Sequence, residues 1–239
     1  MCSICDRELR LGRRGFLGLG LAGLAAATVG AGPALAAGTP ATTVTAAEAL
    51  QKLKDGNARY LAAPEMCIRQ LGTRREALAQ AQAPWATIVA CADSRSAPEL
   101  LFGGVGHGEL FVARNAGNMV DTATMGTIEY GAAVLGVPLI VVLGHERCGA
   151  VAAACDVVLK KAQFPGSIGP MVKPIVPAVK AVAKQPGDLL ENAIRENARR
   201  TAGQIAAKSP IVGRMVKSGK VKVVAACYDL DGGKVEFLT

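Results

Sequence analysis

Pro138-Leu139-Ile140-Val141-Val142-Leu143-Gly144 runs without a break into His145-Glu146-Arg147-Cys148-Gly149. The first stretch is uncharged, rich in branched aliphatics and bounded by Pro138 and Gly144, which are the length and composition of a strand buried on both faces. Strands of that kind belong to parallel sheets covered by helices on each side, so this run decides the fold class. The second stretch is opposite in character: an imidazole and a thiol three residues apart, then a helical segment from Gly149 to Lys161.

Upstream, Trp85 to Cys91 has the same makeup as the first stretch and ends in Cys91-Ala92-Asp93-Ser94-Arg95, and Glu109 to Arg114 is a further strand. Thr122 to Leu135 and Asp188 to Lys208 carry helical periodicity. Val221 to Asp229 and Lys234 to Leu238 flank Asp231-Gly232-Gly233, a hairpin signal. Strands separated by helices imply right-handed crossovers. The expected fold is therefore α/β, with a mostly parallel central sheet flanked by helices and an antiparallel C-terminal hairpin at its edge. Nearer the N-terminus, Thr45 and Glu48 form a capping box for a helix in which Leu50, Leu53, Tyr60 and Leu61 share a face. That helix is expected to reach a partner in a dimer. Arg74 to Gln82 reads as a short helix stopped by Pro84, and Phe164 to Pro174, with its glycines and prolines, as a loop.

The chain has 239 residues, 51% of them hydrophobic, and a net charge of +8. That apolar content excludes a disordered chain. Arg13-Arg14-Gly15-Phe16-Leu17 precedes an uncharged Gly/Ala/Leu run ending at Ala34-Leu35-Ala36, the pattern of a twin-arginine export signal cleaved after Ala36. The chain thus divides into a signal at 1–36, a linker at 37–45 and one domain at 46–239. The signal run alone is long and apolar enough to span a bilayer, so the mature form should hold no membrane span. Its 23 basic and 17 acidic residues are dispersed, which argues against nucleic acid. An exported protein, periplasmic or extracellular, could use disulfides. Yet of seven cysteines an odd five (67, 91, 148, 155 and 227) survive cleavage, and whether Cys67 and Cys155 pair or are simply buried is left open.

Parallel strands put their carboxyl ends on one edge, so the tips after Trp85–Cys91 and Pro138–Gly144 can meet. They would assemble the thiols of Cys91 and Cys148, the imidazole of His145 and the carboxylate of Asp93, donors suited to tetrahedral Zn²⁺. A turn leading into a helix presents His145 and Cys148 together, and a helix N-terminus favours the Cys148 thiolate. His107 and His145 are the only histidines, so a histidine-only site is impossible. Asp93 and Arg95 are costly to bury unless they pair with each other or with a metal.

At this point the sequence resembles the β-class carbonic anhydrases. The family's C-x-D-S-R stands as Cys91, Asp93, Ser94 and Arg95, and its H-x-x-C-G as His145, Cys148 and Gly149. Pro98-Glu99, Gly108 to Val112, Arg114-Asn115-Ala116-Gly117-Asn118, Glu129-Tyr130 and Tyr228-Asp229 also look like family segments. The resemblance covers roughly residues 46 to 239 and implies reversible hydration of carbon dioxide to bicarbonate and a proton by a zinc-bound hydroxide. It implies Cys91, His145 and Cys148 as zinc ligands, with Asp93 taking the fourth position only in a closed form that the Asp93–Arg95 pair prevents. Asp93 would otherwise orient the nucleophile, and Gln82, nine residues before Cys91, would bind substrate. Two thiolates should make the metal's water less acidic than three imidazoles do, so activity is expected to rise at alkaline pH.

The resemblance also implies a homodimer or dimer-based oligomer. It does not extend to the Trp-Arg-Tyr bicarbonate site of some members: Arg114 and Tyr228 match, but Ile88 stands at the tryptophan position, which weighs against bicarbonate-driven cooperativity. His107, in Gly106-His107-Gly108, is expected to be an exposed turn residue rather than a proton shuttle. Two alternatives keep the site: hydrolysis of carbonyl sulfide or carbon disulfide, and a non-catalytic zinc module locked by Asp93. A nucleotide-binding reading lacks both G-x-G-x-x-G and a P-loop.

Overall fold

In the computed structural model, β1 (Ala86–Cys91), β2 (Leu110–Asn115), β3 (Leu139–His145), β4 (Lys222–Tyr228) and β5 (Val235–Leu238) form one sheet in the order β2-β1-β3-β4-β5. The first four are mutually parallel and β5 is antiparallel to β4, in keeping with the sequence pattern. The described residues are 42–65 and 78–238. The export signal, its cleavage after Ala36, most of the linker, Cys67 and residues 74–77 of the helix expected at Arg74–Gln82 lie outside them; in the rest of that stretch Leu78 alone is helical, 79–80 form a turn and 81–82 have no regular structure, so the expected helix does not reach Gln82.

Every residue of β1 and β3 is buried, because these strands sit inside the sheet with helices on both faces. Their side chains alternate between two cores. Val89, Cys91, Ile140 and Val142 face α3 (Thr122–Ala133), α4 (Gly149–Lys160) and α7 (Leu189–Lys208). Ile88, Ala90, Val141 and Leu143 face α1 (Ala46–Ala62) and α2 (Pro98–Leu101). Each fully buried aliphatic side chain contributes about 1.5–3 kcal/mol relative to an exposed one, so these two rows drive the closure of helices onto the sheet. Edge strand β2 is half-buried.

The stretch expected as a loop at Phe164–Pro174 is instead largely helical. It holds α5 (Ile168–Val172) and a 3-10 turn at Lys173–Ile175, continuing into α6 (Val176–Val182). Pro174 and Pro177 fall in first turns, where the missing N–H would have no intrahelical partner anyway. Burial of Val172, Ile175, Val179 and Val182 against the larger core then holds these short pieces in place. In the same way Pro210 opens α8 (Pro210–Lys217), which the sequence pattern does not mark, with the Ser209 hydroxyl accepting from the Val212 N–H. No helix among the described residues is long and apolar enough to cross a membrane.

The capping box of α1 forms: the Glu48 N–H donates to the Thr45 hydroxyl, and the Thr45 N–H to the Glu48 carboxylate. Of the four residues expected to share a face, Leu53 is buried, Leu50 and Tyr60 pack partly buried against the same core, and Leu61 stands out. Ala49, Leu53, Gly56 and Asn57 are buried, whereas Leu61 is exposed. The cause is a close crossing in which Gly56 lies against Phe102 and Gly103 at the end of α2. Asn57 then bonds the carbonyls of Leu101 and Gly233 and accepts from the Val235 N–H. A methyl at position 56 would fall onto the Phe102 carbonyl, where backbone cannot yield cheaply. Gly56→Ala is therefore expected to destabilise the fold by about 2 kcal/mol, lowering the melting temperature by roughly 4–8 °C. Thermal unfolding followed by circular dichroism reads it, and an unchanged melting temperature would mean that α1 does not pack this closely.

Candidate metal centre

Neighbouring parallel strands β1 and β3 end at Cys91 and His145, so the sheet delivers both side chains to one edge. Cys148 is the N-cap of α4, three residues beyond His145. Arg147, between them, has φ of +51°, the left-handed conformation that turns the chain from strand to helix in so few residues. The outcome is a buried cluster in which a ligand atom from each of Cys91, His145 and Cys148 lies within 4.8 Å of the others. The two sulfurs are 4.0 Å apart and belong to free thiols. Two sulfur ligands about 2.3 Å from a tetrahedral zinc would stand about 3.8 Å apart, so the cradle fits that ion.

His145 supplies a second test of fit. Its Nδ1 lies 2.8 Å from the Glu146 carbonyl oxygen, to which it donates when that nitrogen carries the proton. Nε2 is then a lone pair, buried and without a hydrogen-bond partner among the described residues. An orphan of this kind is costly unless something fills it, and a metal ion does.

Without an ion the two thiols act as one coupled pair. The hydrogen bond from Cys148 lowers the Cys91 thiol into the thiolate range against the opposing effect of burial. The same bond, reinforced by burial, pushes Cys148 upward. Burial acts to lower His145, but the neighbouring negative Cys91, aided by the Glu146 carbonyl and Asp93, outweighs it and raises the imidazole. Negative charge thus already gathers where a cation would sit.

Asp93 stands beside this cluster, with Oδ2 3.8 Å from His145 Nε2. Arg95 holds it from three directions: its N–H and Nε donate to Oδ1 at 2.9 Å each, and Nη2 to Oδ2 at 2.7 Å. That guanidinium keeps the carboxyl well below the usual carboxylate range. The pair expected from the sequence is formed. Gln82 is exposed in the stretch leading into β1 and joins none of these hydrogen bonds. His107 is exposed in a turn, as expected.

Several contributors carry no such role in the sequence pattern. Arg114 clamps the backbone of the Cys91–Asp93 turn, with Nε donating to the Cys91 carbonyl at 2.8 Å and Nη2 to that of Asp93 at 2.6 Å. Arg147 makes a two-pronged pair with Asp231 in the β4–β5 hairpin, 2.8 Å at each prong. The N–H of Gly117 donates to Cys91 Sγ at 3.3 Å. The signal available for Gly117 is its place in Arg114-Asn115-Ala116-Gly117-Asn118, a family segment whose work only the fold discloses.

The sequence model of a family described as carbonic anhydrase matches residues 86–235, which include all three ligand candidates and the Asp93–Arg95 pair. The chain belongs to the β-carbonic anhydrase family. A carbonic anhydrase of Mycolicibacterium smegmatis is 38% identical over 189 residues, covering 79% of this chain and 91% of that protein. Carbonic anhydrase 2 of Mycobacterium tuberculosis is 36% identical over 186 residues, or 78% of this chain and 89% of that protein. Among solved structures, a β-carbonic anhydrase of Coccomyxa superposes with a TM-score of 0.61 at 28% identity, covering 79% of this chain and 86% of that one. β-Carbonic anhydrases are zinc enzymes, and the Cys91-His145-Cys148 cradle has the donors and spacing for that ion.

Proposed function

We propose that this chain is a carbonate dehydratase that interconverts carbon dioxide with bicarbonate and a proton. The observation that carries the proposal is the buried Cys91-His145-Cys148 donor set standing beside the Asp93–Arg95 pair. Zinc, when bound there, supplies a Lewis acid that makes water nucleophilic near neutral pH. Cys91 and Cys148 meet the cation as thiolates, and His145 meets it through Nε2, its ring fixed by the Glu146 carbonyl. Asp93, ionised and held by Arg95, accepts a hydrogen bond from the attacking water and so orients its lone pair toward the carbon. Arg95 and Arg114 together keep that carboxylate and its turn in one orientation. Release of bicarbonate and passage of the proton to solvent complete the cycle, and Gln82 is proposed to contact substrate from the stretch before β1.

Two finer readings accompany this one. The Arg13-Arg14 segment supports export by the twin-arginine route, which carries folded proteins and would let metal load before the thiols meet oxidant. The half-buried edge strand β2 and the family resemblance support assembly on a dimer.

The test is a carbon dioxide hydration assay on full-length protein with zinc measured alongside. About one zinc per chain is expected, with a rate that climbs from neutral to alkaline pH, since the reacting water must lose its proton. Hydrolysis of carbonyl sulfide or carbon disulfide without carbon dioxide hydration would leave the site standing and change the substrate. Protein that takes up no zinc would remove both.

A further inference from the structure

We infer that Asn197, on α7, is a positioning residue for the metal centre: it pins Gly117 so that the Gly117 N–H stays aimed at the sulfur of Cys91 and restrains that sulfur's electron donation. The inference rests on Cys91 being a zinc ligand.

The chain of contacts is short and buried. Asn197 Nδ2 donates to the Gly117 carbonyl at 3.0 Å across 80 residues of sequence, and Gly117 N donates to Cys91 Sγ at 3.3 Å. Asn197 is only 4% exposed. Its neighbours on the same helix, Ala193, Ile194 and Ala198, are buried and apolar, so neither helix propensity nor core packing calls for an amide at this position. What it does have is one backbone carbonyl to hold.

That carbonyl belongs to a residue with no side chain by which it could be held. Gly117 has φ of +83°, and a Cβ on it would lie 2.7 Å from Ile175 Cδ1 and 3.2 Å from Ala150 Cβ. Without a side chain it can be anchored only through its backbone. Asn118, the next residue, is also left-handed at φ of +45°. Inside the turn the same peptide is held by the Asn118 N–H, which donates to the Asn115 carbonyl at 3.3 Å, and Asn197 adds the shorter bond from outside it. Asn115 ties the base of the turn, with Nδ2 donating to the Met119 carbonyl and Oδ1 accepting from the Met119 N–H, both at 2.8 Å. Asn197 fixes its apex, from a 20-residue helix packed on the sheet. A hydrogen bond donated to a ligating sulfur withdraws electron density from it, and so tunes what the sulfur gives to a metal.

The experiment loads full-length protein with cobalt(II) and reads the near-ultraviolet band that arises from transfer of charge from thiolate to metal. Asn197→Leu is expected to move the band to longer wavelength, because a sulfur relieved of its N–H gives up an electron more readily. Because the ligand loop is no longer anchored to the helix, the same variant should also lose zinc to a chelator about 10-fold faster. Asn57→Leu serves as the comparison: Asn57 is likewise buried and donates to the Leu101 and Gly233 carbonyls at 3.0 Å, but it belongs to the other face of the sheet. It should lower the melting temperature and leave the band in place. Should Asn197→Leu not fold, Asn197→Ser, which makes room for a water, carries the same expectation. A band unmoved in the folded Asn197 variant, or moved equally by Asn57→Leu, overturns the inference while the metal centre stands. Unaltered protein that takes up no cobalt overturns both.

Discussion

Cys91→Ser is expected to strip the protein of zinc and with it the hydration of carbon dioxide. Serine differs from cysteine by one atom, so β1 keeps its ladder on both sides and circular dichroism should be unchanged. What is lost is a sulfur that the Cys148 hydrogen bond holds toward the thiolate and that the Gly117 N–H also contacts. A serine hydroxyl does not ionise near neutral pH and is a poor partner for an ion that favours sulfur and imidazole. Removing a residue that merely orients a ligand costs about 10–100-fold in metal affinity. Removing the ligand itself should exceed about 100-fold, leaving little zinc by elemental analysis. Cys155→Ser and Cys227→Ser give the contrast. Burial raises both thiols, Cys227 to about 12, and neither belongs to the ligand cluster. Those variants should keep zinc and rate. Full zinc occupancy with undiminished activity in Cys91→Ser would exclude Cys91 as a ligand.

Much of the site can be read from sequence because its parts lie at the ends of the two most apolar strands. Period and composition place Ala86–Cys91 and Leu139–His145 within a residue or so, and parallel pairing then forces Cys91 and His145 to one edge. The Asp93–Arg95 pair is legible for a similar reason, since two opposite charges two residues apart after a buried strand have few other ways to be satisfied. Contacts such as Asn197 with Gly117, or Arg147 with Asp231, link residues 80 or more apart, and their partners are a bare backbone carbonyl and a carboxylate in a turn. No local periodicity marks such bonds. The stretch Ile168–Pro174 departs from the loop expected there because proline reads as a breaker, whereas at first-turn positions it is compatible with helix and the packing of Val172 and Ile175 decides the outcome. The exposed Leu61 has the same kind of cause: the face of α1 is chosen by where Gly56 can touch Phe102, which no count of leucines contains.

Arg95→Ala should leave zinc in place and slow catalysis by about 10- to 100-fold, the effect of losing charge-assisted hydrogen bonds that compete with a metal for one carboxylate. In the intact protein both Asp93 oxygens are engaged by the guanidinium, and Oδ2 is already 3.8 Å from the ligand nitrogen of His145. Without Arg95 the carboxylate keeps only the bond from the backbone N–H of residue 95 and remains ionised beside a cation. It is then free to take the fourth position, which turns an open catalytic site into a closed structural one. The pH dependence has a definite sign. Because Arg95 depresses the Asp93 pKa, the pair stabilises the fold fully above the unfolded value of about 4, and that contribution fades as pH falls through the lower folded value. The gap in melting temperature between wild type and Arg95→Ala should therefore be widest near neutrality and shrink in strong acid. Adding Asp93→Ala to Arg95→Ala separates a blocking carboxylate from one that only orients water. If Asp93 blocks, the double variant retains zinc and runs faster than Arg95→Ala alone. A double variant no faster than the single one would mean that the carboxylate never occupies the metal, and that Arg95 acts solely by aiming Asp93 at the nucleophile.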